Sequence, residues 1–71
     1  MSWSDSEAAA VCSAICAIAL RPAVEDFLRS TWDVRSSDSA DGTVYRGPGL
    51  GLYVRVRYEQ GRAISAVTFR R

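Results

Sequence analysis

The sequence predicts an α+β fold in which two N-terminal helices pack on a three- to four-stranded antiparallel sheet, in the order α-α-β-β-β-β. Three observations predict it. An apolar run at residues 8–20 has helical spacing. A polar, glycine-containing stretch separates the helical half from the β-rich half. The last twenty residues alternate about a Gln60-Gly61 turn. With 71 residues, the chain is read as a single small domain over 1–71.

The first helix opens at Ser4-Asp5-Ser6-Glu7. Ser4 can cap the first turn, Glu7 can reach back to it, and Asp5 and Glu7 suit the positive end of the helix. In the run AAAVCSAICAIAL, Val11, Ile15 and Ile18 share one face with Ala8 and Ala14 beside them. Ala9, Ala10, Ser13 and Ala17 lie opposite. A helix apolar on every side is expected to be covered on every side. The small-residue face should therefore meet a second helix or another copy of the chain, with Ala10, Ser13 and Ala17 at a homodimer contact. The acidic flank argues against a signal peptide. The run also falls short of the roughly 20 residues a membrane span needs, so the expectation is a cytoplasmic protein without membrane attachment.

Pro22 suits the start of a second helix. Residues Ala23 to Ser30 fit a short one, with Val24, Phe27 and Leu28 inward and Glu25, Asp26 and Arg29 outward. Thr31 to Ser36 alternates, so a strand is expected there with Trp32 and Val34 on one face. The segment SSDSADG at 36–42 reads as a polar turn region, Thr43 to Arg46 as a short strand, and GPGLG at 47–51 as a bend.

The closing hairpin is the clearest local signal. A two-residue turn at Gln60-Gly61 pairs Glu59 with Arg62. Counting outward pairs Tyr58 with Ala63, Val56 with Ser65, Val54 with Val67 and Leu52 with Phe69. This register predicts that Leu52, Val54, Val56, Val67 and Phe69 face the helices and that Tyr53, Arg55 and Arg57 face away. A one-residue slip would reverse the faces.

Composition narrows the chemistry. There is no His, which removes His-based triads, His metal sites and His proton shuttles. Hydrophobic content of 48% and charged content of 24% are those of a globular protein. All nine basic residues are Arg, and Asn is absent as well as Lys. The joint absence fits a high-GC bacterial or phage gene better than selection for guanidinium chemistry. The net charge of +1 hides an asymmetry. Residues 1–41 carry −4 and residues 42–71 carry +5, a distribution that can steer a charged partner or hold the two halves together.

Cys12 and Cys16 are one helical turn apart, a poor disulfide geometry, and nothing completes a zinc site beside them. They read as small core residues. GPGLG lacks the Lys and Ser/Thr of a phosphate loop and precedes a strand. No catalytic constellation, metal site or cofactor site is expected.

The outer face of the hairpin carries Tyr53, Arg55 and Arg57 in a row, with Arg46 and Arg70 expected nearby. The plain reading is a solvated sheet face whose charges block aggregation. Arg and Tyr are also enriched at protein–protein hot spots, and they hold phosphates and stack on bases. The function expected from these residues is non-enzymatic: stoichiometric binding of another protein through an acidic patch, as an inhibitor or regulator. Phage anti-defence proteins such as anti-CRISPRs share this general profile. The alternative is nucleic-acid binding by the same face. The segment LYVRVRYEQGRAISAVTFRR, residues 52–71, resembles the closing hairpin of RelE/ParE-type toxins. That resemblance implies messenger-RNA cleavage by Arg and Tyr side chains without His. The chain departs from those toxins in having no strand ahead of its helices. The layout of a helix followed by a hairpin-ended sheet is also similar to protease inhibitors of the potato-inhibitor-I type, whose loop signature is not visible here.

Overall fold

The computed structural model describes residues 3–32, 34, 36–48 and 51–70. The chain runs α1 (Asp5–Ile18), α2 (Arg21–Trp32), β1 (Ser36–Ser39), β2 (Gly42–Arg46), β3 (Leu52–Glu59) and β4 (Arg62–Arg70). The four strands form one antiparallel sheet in the order β1-β2-β3-β4. The α-α-β-β-β-β architecture is therefore the one the sequence predicts.

Ser4 caps α1: its Oγ accepts from the Glu7 N–H at 3.1 Å. Ala8, Val11 and Ile15 are buried against the sheet, with Ile18 partly so. On the opposite side Ala9, Ala10, Ser13, Cys16 and Ala17 are exposed. α1 ends at Ala19, whose φ of 68° is left-handed and strained for a residue with a Cβ. The surrounding bonds hold it there. Ala19 donates to the Ile15 carbonyl at 2.9 Å and accepts from the Ala63 N–H at 2.7 Å. The Arg21 N–H in turn donates to Gly61 at 2.9 Å. The helix–helix corner is thus bonded to the tip of the closing hairpin.

The second helix is longer at both ends than the sequence suggests, and the strand expected over Thr31–Ser36 does not form as such. α2 continues through Trp32. Tertiary packing decides it: in helical geometry the Trp32 ring meets Phe27 edge-on at 5.6 Å and Trp3 edge-on at 5.2 Å. Val34 is buried beyond the helix end; positions 33 and 35 lie outside the described residues. The polar segment 36–42 is mostly strand, with only Ala40 and Asp41 in the turn. All four residues of β1 are exposed, so no hydropathy pattern announces it. Side-chain bonds hold it instead: Thr43 Oγ1 and Arg21 Nη2 both donate to Asp38 Oδ1 at 3.0 Å, and Ser39 Oγ donates to the Gly42 carbonyl at 2.9 Å.

On β3 the expected faces hold. Leu52, Val54 and Val56 are buried, and Tyr45 and Thr43 join them from β2. On β4 they do not. The turn forms as expected, with Gln60 and Gly61 both left-handed (φ 52° and 75°) and Glu59 opposite Arg62. After Tyr58–Ala63 the ladder shifts by one residue. Arg57 then pairs with Ser65, Val56 with Ala66, Arg55 with Val67, Val54 with Thr68 and Tyr53 with Phe69. Ile64 is the extra residue of a β-bulge. Val67 and Phe69 therefore lie on the outer face, contrary to the uninterrupted register. The bulge puts the small Ala66 on the helix-facing side, where α1 packs against β4, and leaves the Phe69 ring to stack on Tyr53. Phe69→Ala is then expected to cost about 1–2 kcal/mol in urea titrations, for a half-buried stacked ring. An inward ring would cost about 3–5 kcal/mol.

Candidate interaction face

The helices cover one side of the sheet, and among the described residues no element covers the other. Its centre is a cross-strand aromatic pair: the Tyr53 and Phe69 rings stack at 5.3 Å and 15°. The Arg55 guanidinium lies over the Phe69 ring at 4.8 Å. Val67, opposite Arg55, is 51% exposed. Beside it an open concavity of about 710 Å³ is lined by Arg55, Arg57, Ser65 and Val67, with the β1–β2 turn at Ala40 and Asp41 as its rim. Arg46 stands across from Tyr53, exposed.

The structure thus brings together four of the five residues expected at this face: Tyr53, Arg55, Arg57 and Arg46. Arg70 is the exception. The bulge rotates it to the helix side, opposite Leu52, where its Nη2 binds Asp5 Oδ1 at the start of α1. Phe69 and Val67 replace it, and alternation alone could not have found them, because nothing in the residue types marks Ile64 as the bulge. Arg46, Arg55 and Arg57 make no ion pair among the described residues, and the Arg55 Nε–H is buried without a hydrogen-bond partner. The face therefore offers an apolar centre with three guanidinium groups around it that form no ion pair among the described residues.

A second polar cluster lies on the opposite side of the sheet, at the α2 end. Tyr45 Oη and Tyr58 Oη share a hydrogen bond of 2.8 Å, and Tyr45 Oη approaches Glu25 Oε2 at 3.5 Å. Arg21 links Glu25 at 3.2 Å to Asp38 and lies over the Tyr58 ring at 5.1 Å. Asp38 is held below the usual carboxylate range by the Thr43 hydroxyl and by Arg21. Burial raises the pKa of both tyrosine phenols and keeps them protonated. Every polar side chain here has a partner, so the cluster reads as the clamp between α2 and strands β1–β3.

Cys12 is half-buried and Cys16 exposed, both as thiols. Burial and the neighbouring Cys16 push the Cys12 thiol up, away from reactive thiolate. Among the described residues no three His, Cys, Asp or Glu side chains group as metal ligands. No helix of these residues is long and apolar enough to cross a membrane. Ala10, Ser13 and Ala17, the expected dimer contact, are exposed on α1. Comparison with protein-family models, curated proteins and solved structures finds no match to this chain.

Proposed function

We propose that the chain acts by stoichiometric binding of another protein, which presents an acidic patch to the outer sheet face at Tyr53, Arg55, Arg57, Arg46, Val67 and Phe69. The observation that carries this reading is the combination of a partly exposed aromatic–aliphatic centre with arginines that form no ion pair among the described residues. Buried aromatic and Arg anchors within a polar rim are the usual anatomy of a protein hot spot. In keeping with the sequence, the setting is the cytoplasm of a high-GC bacterium or its phage, and the role that of an inhibitor or regulator of the anti-defence kind.

The alternative, a nucleic-acid or RelE-like RNase face, is less well supported by the aromatic geometry. Base stacking needs open ring faces. Here Tyr53 and Phe69 stack on each other and Arg55 lies on Phe69.

The test compares the tagged parent with Arg55→Ala/Arg57→Ala in pulldowns from the native host, with and without nuclease. Both sites are at the surface, so the double variant should lose no more than about 1.5 kcal/mol of stability, including the Arg55–Phe69 contact. Its affinity for the captured protein should fall at least about tenfold. Capture that depends on nucleic acid, with log affinity falling steeply and linearly in log salt, would favour the alternative. A folded double variant that keeps its partner at parental affinity overturns the assignment of the face.

A further inference from the structure

The two edges of the sheet are unlike. β1 is four residues long and carries Asp38. β4 is nine residues long, and its residues 63–69, AISAVTF, hold neither charge nor proline. Charge, proline and shortness are the common means of blocking an edge. β4 has its bulge, but the bulge sits near the turn and leaves residues 66–70 regular.

The phase of the backbone groups on this edge follows from both ends of the strand. The Leu52 carbonyl accepts from the Gly47 N–H at 3.0 Å, so Leu52 turns its backbone away from β4. In an antiparallel ladder its partner Arg70 then turns outward as well, and so, by alternation, do Thr68 and Ala66. At the turn end the Ala63 N–H points outward to Ala19. With the one extra residue at Ile64, that phase again makes Ala66 and Thr68 outward. The Ala63 group is taken up by the helix corner, whereas no partner for those of Ala66 and Thr68 is found among the described residues. Between them Val67 stands half-exposed on the outer face.

We propose that this edge pairs antiparallel with β4 of a second copy, about a two-fold axis at Val67, to give a continuous eight-stranded sheet. The occupant is a second copy because the edge is self-complementary. Ala66 meets Thr68 of the other chain in a hydrogen-bonded pair on each side of the axis. Val67 meets its own counterpart in the closer, non-bonded pairing, so the two exposed side chains cover each other. No like charges meet across the seam, since the nearest arginine on β4 itself, Arg70, is bound to Asp5, and Arg55 lies one strand back on β3. α1 lies over β4, so the same axis brings two α1 helices to neighbouring positions. Their exposed Ala10, Ser13 and Ala17 are small enough for close approach. The axis also sets two copies of the Tyr53–Phe69–Arg55 group side by side on one surface, whatever that surface binds.

Sedimentation equilibrium over a micromolar concentration series should show the parent approaching twice its 7.8 kDa mass. Thr68→Pro removes only an N–H that points away from β3, a place where an edge strand tolerates proline. It should keep the parental circular dichroism and stay monomeric where the parent is dimeric. Val67→Cys in a Cys16→Ser background should cross-link spontaneously into a disulfide dimer; this variant decides the matter if Thr68→Pro fails to fold. A parent that remains at 7.8 kDa throughout, a folded Thr68→Pro variant that still dimerises, or a Val67→Cys chain that stays uncross-linked overturns the proposal.

Discussion

Trp3→Ala should cost about 3–5 kcal/mol, a large part of what so small a domain has to lose. Trp3 precedes the first helix, yet it is only 5% exposed and belongs to the core. Its ring meets Trp32 edge-on, and its backbone N–H donates to the Pro48 carbonyl at 3.4 Å. The fit is closest at Gly47, where an added Cβ would stand 2.4 Å from Trp3 Cε3 and 2.7 Å from Cζ3. Gly47→Ala should therefore cost about 1–3 kcal/mol by overpacking, through this ring and not through backbone strain. The two effects are coupled. In a Trp3→Ala background the new methyl enters vacated space, and Gly47→Ala should cost no more than about 0.5 kcal/mol. Trp3→Phe should cost less than Trp3→Ala, since it keeps a ring and removes an indole N–H that is buried without a partner. Urea titrations of the four chains, followed by circular dichroism, measure the cycle. Additive costs would show that the ring and Gly47 do not share this space.

The importance of Trp3 was not legible in the sequence, and the reason is general to this fold. Periodicity exposes residues whose burial repeats along an element: Val11 and Ile15 on α1, Val24 and Leu28 on α2, and Leu52, Val54 and Val56 on β3 all lie where their spacing puts them. Trp3 and Val34 sit outside regular elements, and only the tertiary arrangement buries them. β1 is hidden for the opposite reason. It buries nothing, and is held by Thr43, Arg21 and Ser39 side chains whose partners are remote or ambiguous in sequence. Trp32 shows propensity overruled: β-rich neighbours suggested a strand, and contacts to Phe27 and Trp3 kept it helical.

The interaction face divides in the same way. Tyr53, Arg55 and Arg57 follow from strict alternation on β3, because the extra residue of the bulge is on β4. Phe69, Val67 and Arg70 depend on where β4 inserts one residue. A single bulge reverses every side chain beyond it. The exchange changes the chemistry of the face: it gains an aromatic stack and a half-exposed valine and loses an arginine to Asp5. What alternation described as a row of charges is an apolar centre with charges around it.

Stability should fall steeply at alkaline pH, and the buried tyrosine pair sets where. Burial is the first cause that raises the Tyr45 phenol above its usual ionisation, followed by the hydrogen bond to Tyr58 and the nearby Glu25 carboxylate. Burial likewise raises Tyr58, opposed by the bond from Tyr45. Both folded-state values exceed the unfolded value of about 10. The sign follows: below about pH 10 both states hold the protons and stability is flat, whereas above it the unfolded chain releases protons that the folded chain retains. Unfolding is then favoured by up to about 1.4 kcal/mol per pH unit for each phenol that stays protonated. Composition keeps the window clear, because the chain has neither Lys nor His. Cys12 is also raised, chiefly by burial, and would add a loss of the same sign from about pH 9. A Cys12→Ala/Cys16→Ala background removes that contribution. In that background, urea midpoints between pH 9 and 11.5 should be level to about pH 10 and then drop. Tyr45→Phe/Tyr58→Phe should flatten the drop while costing about 1 kcal/mol at pH 8 for the lost hydrogen bond. An equally steep alkaline loss in the double Phe variant would place the titrating groups elsewhere.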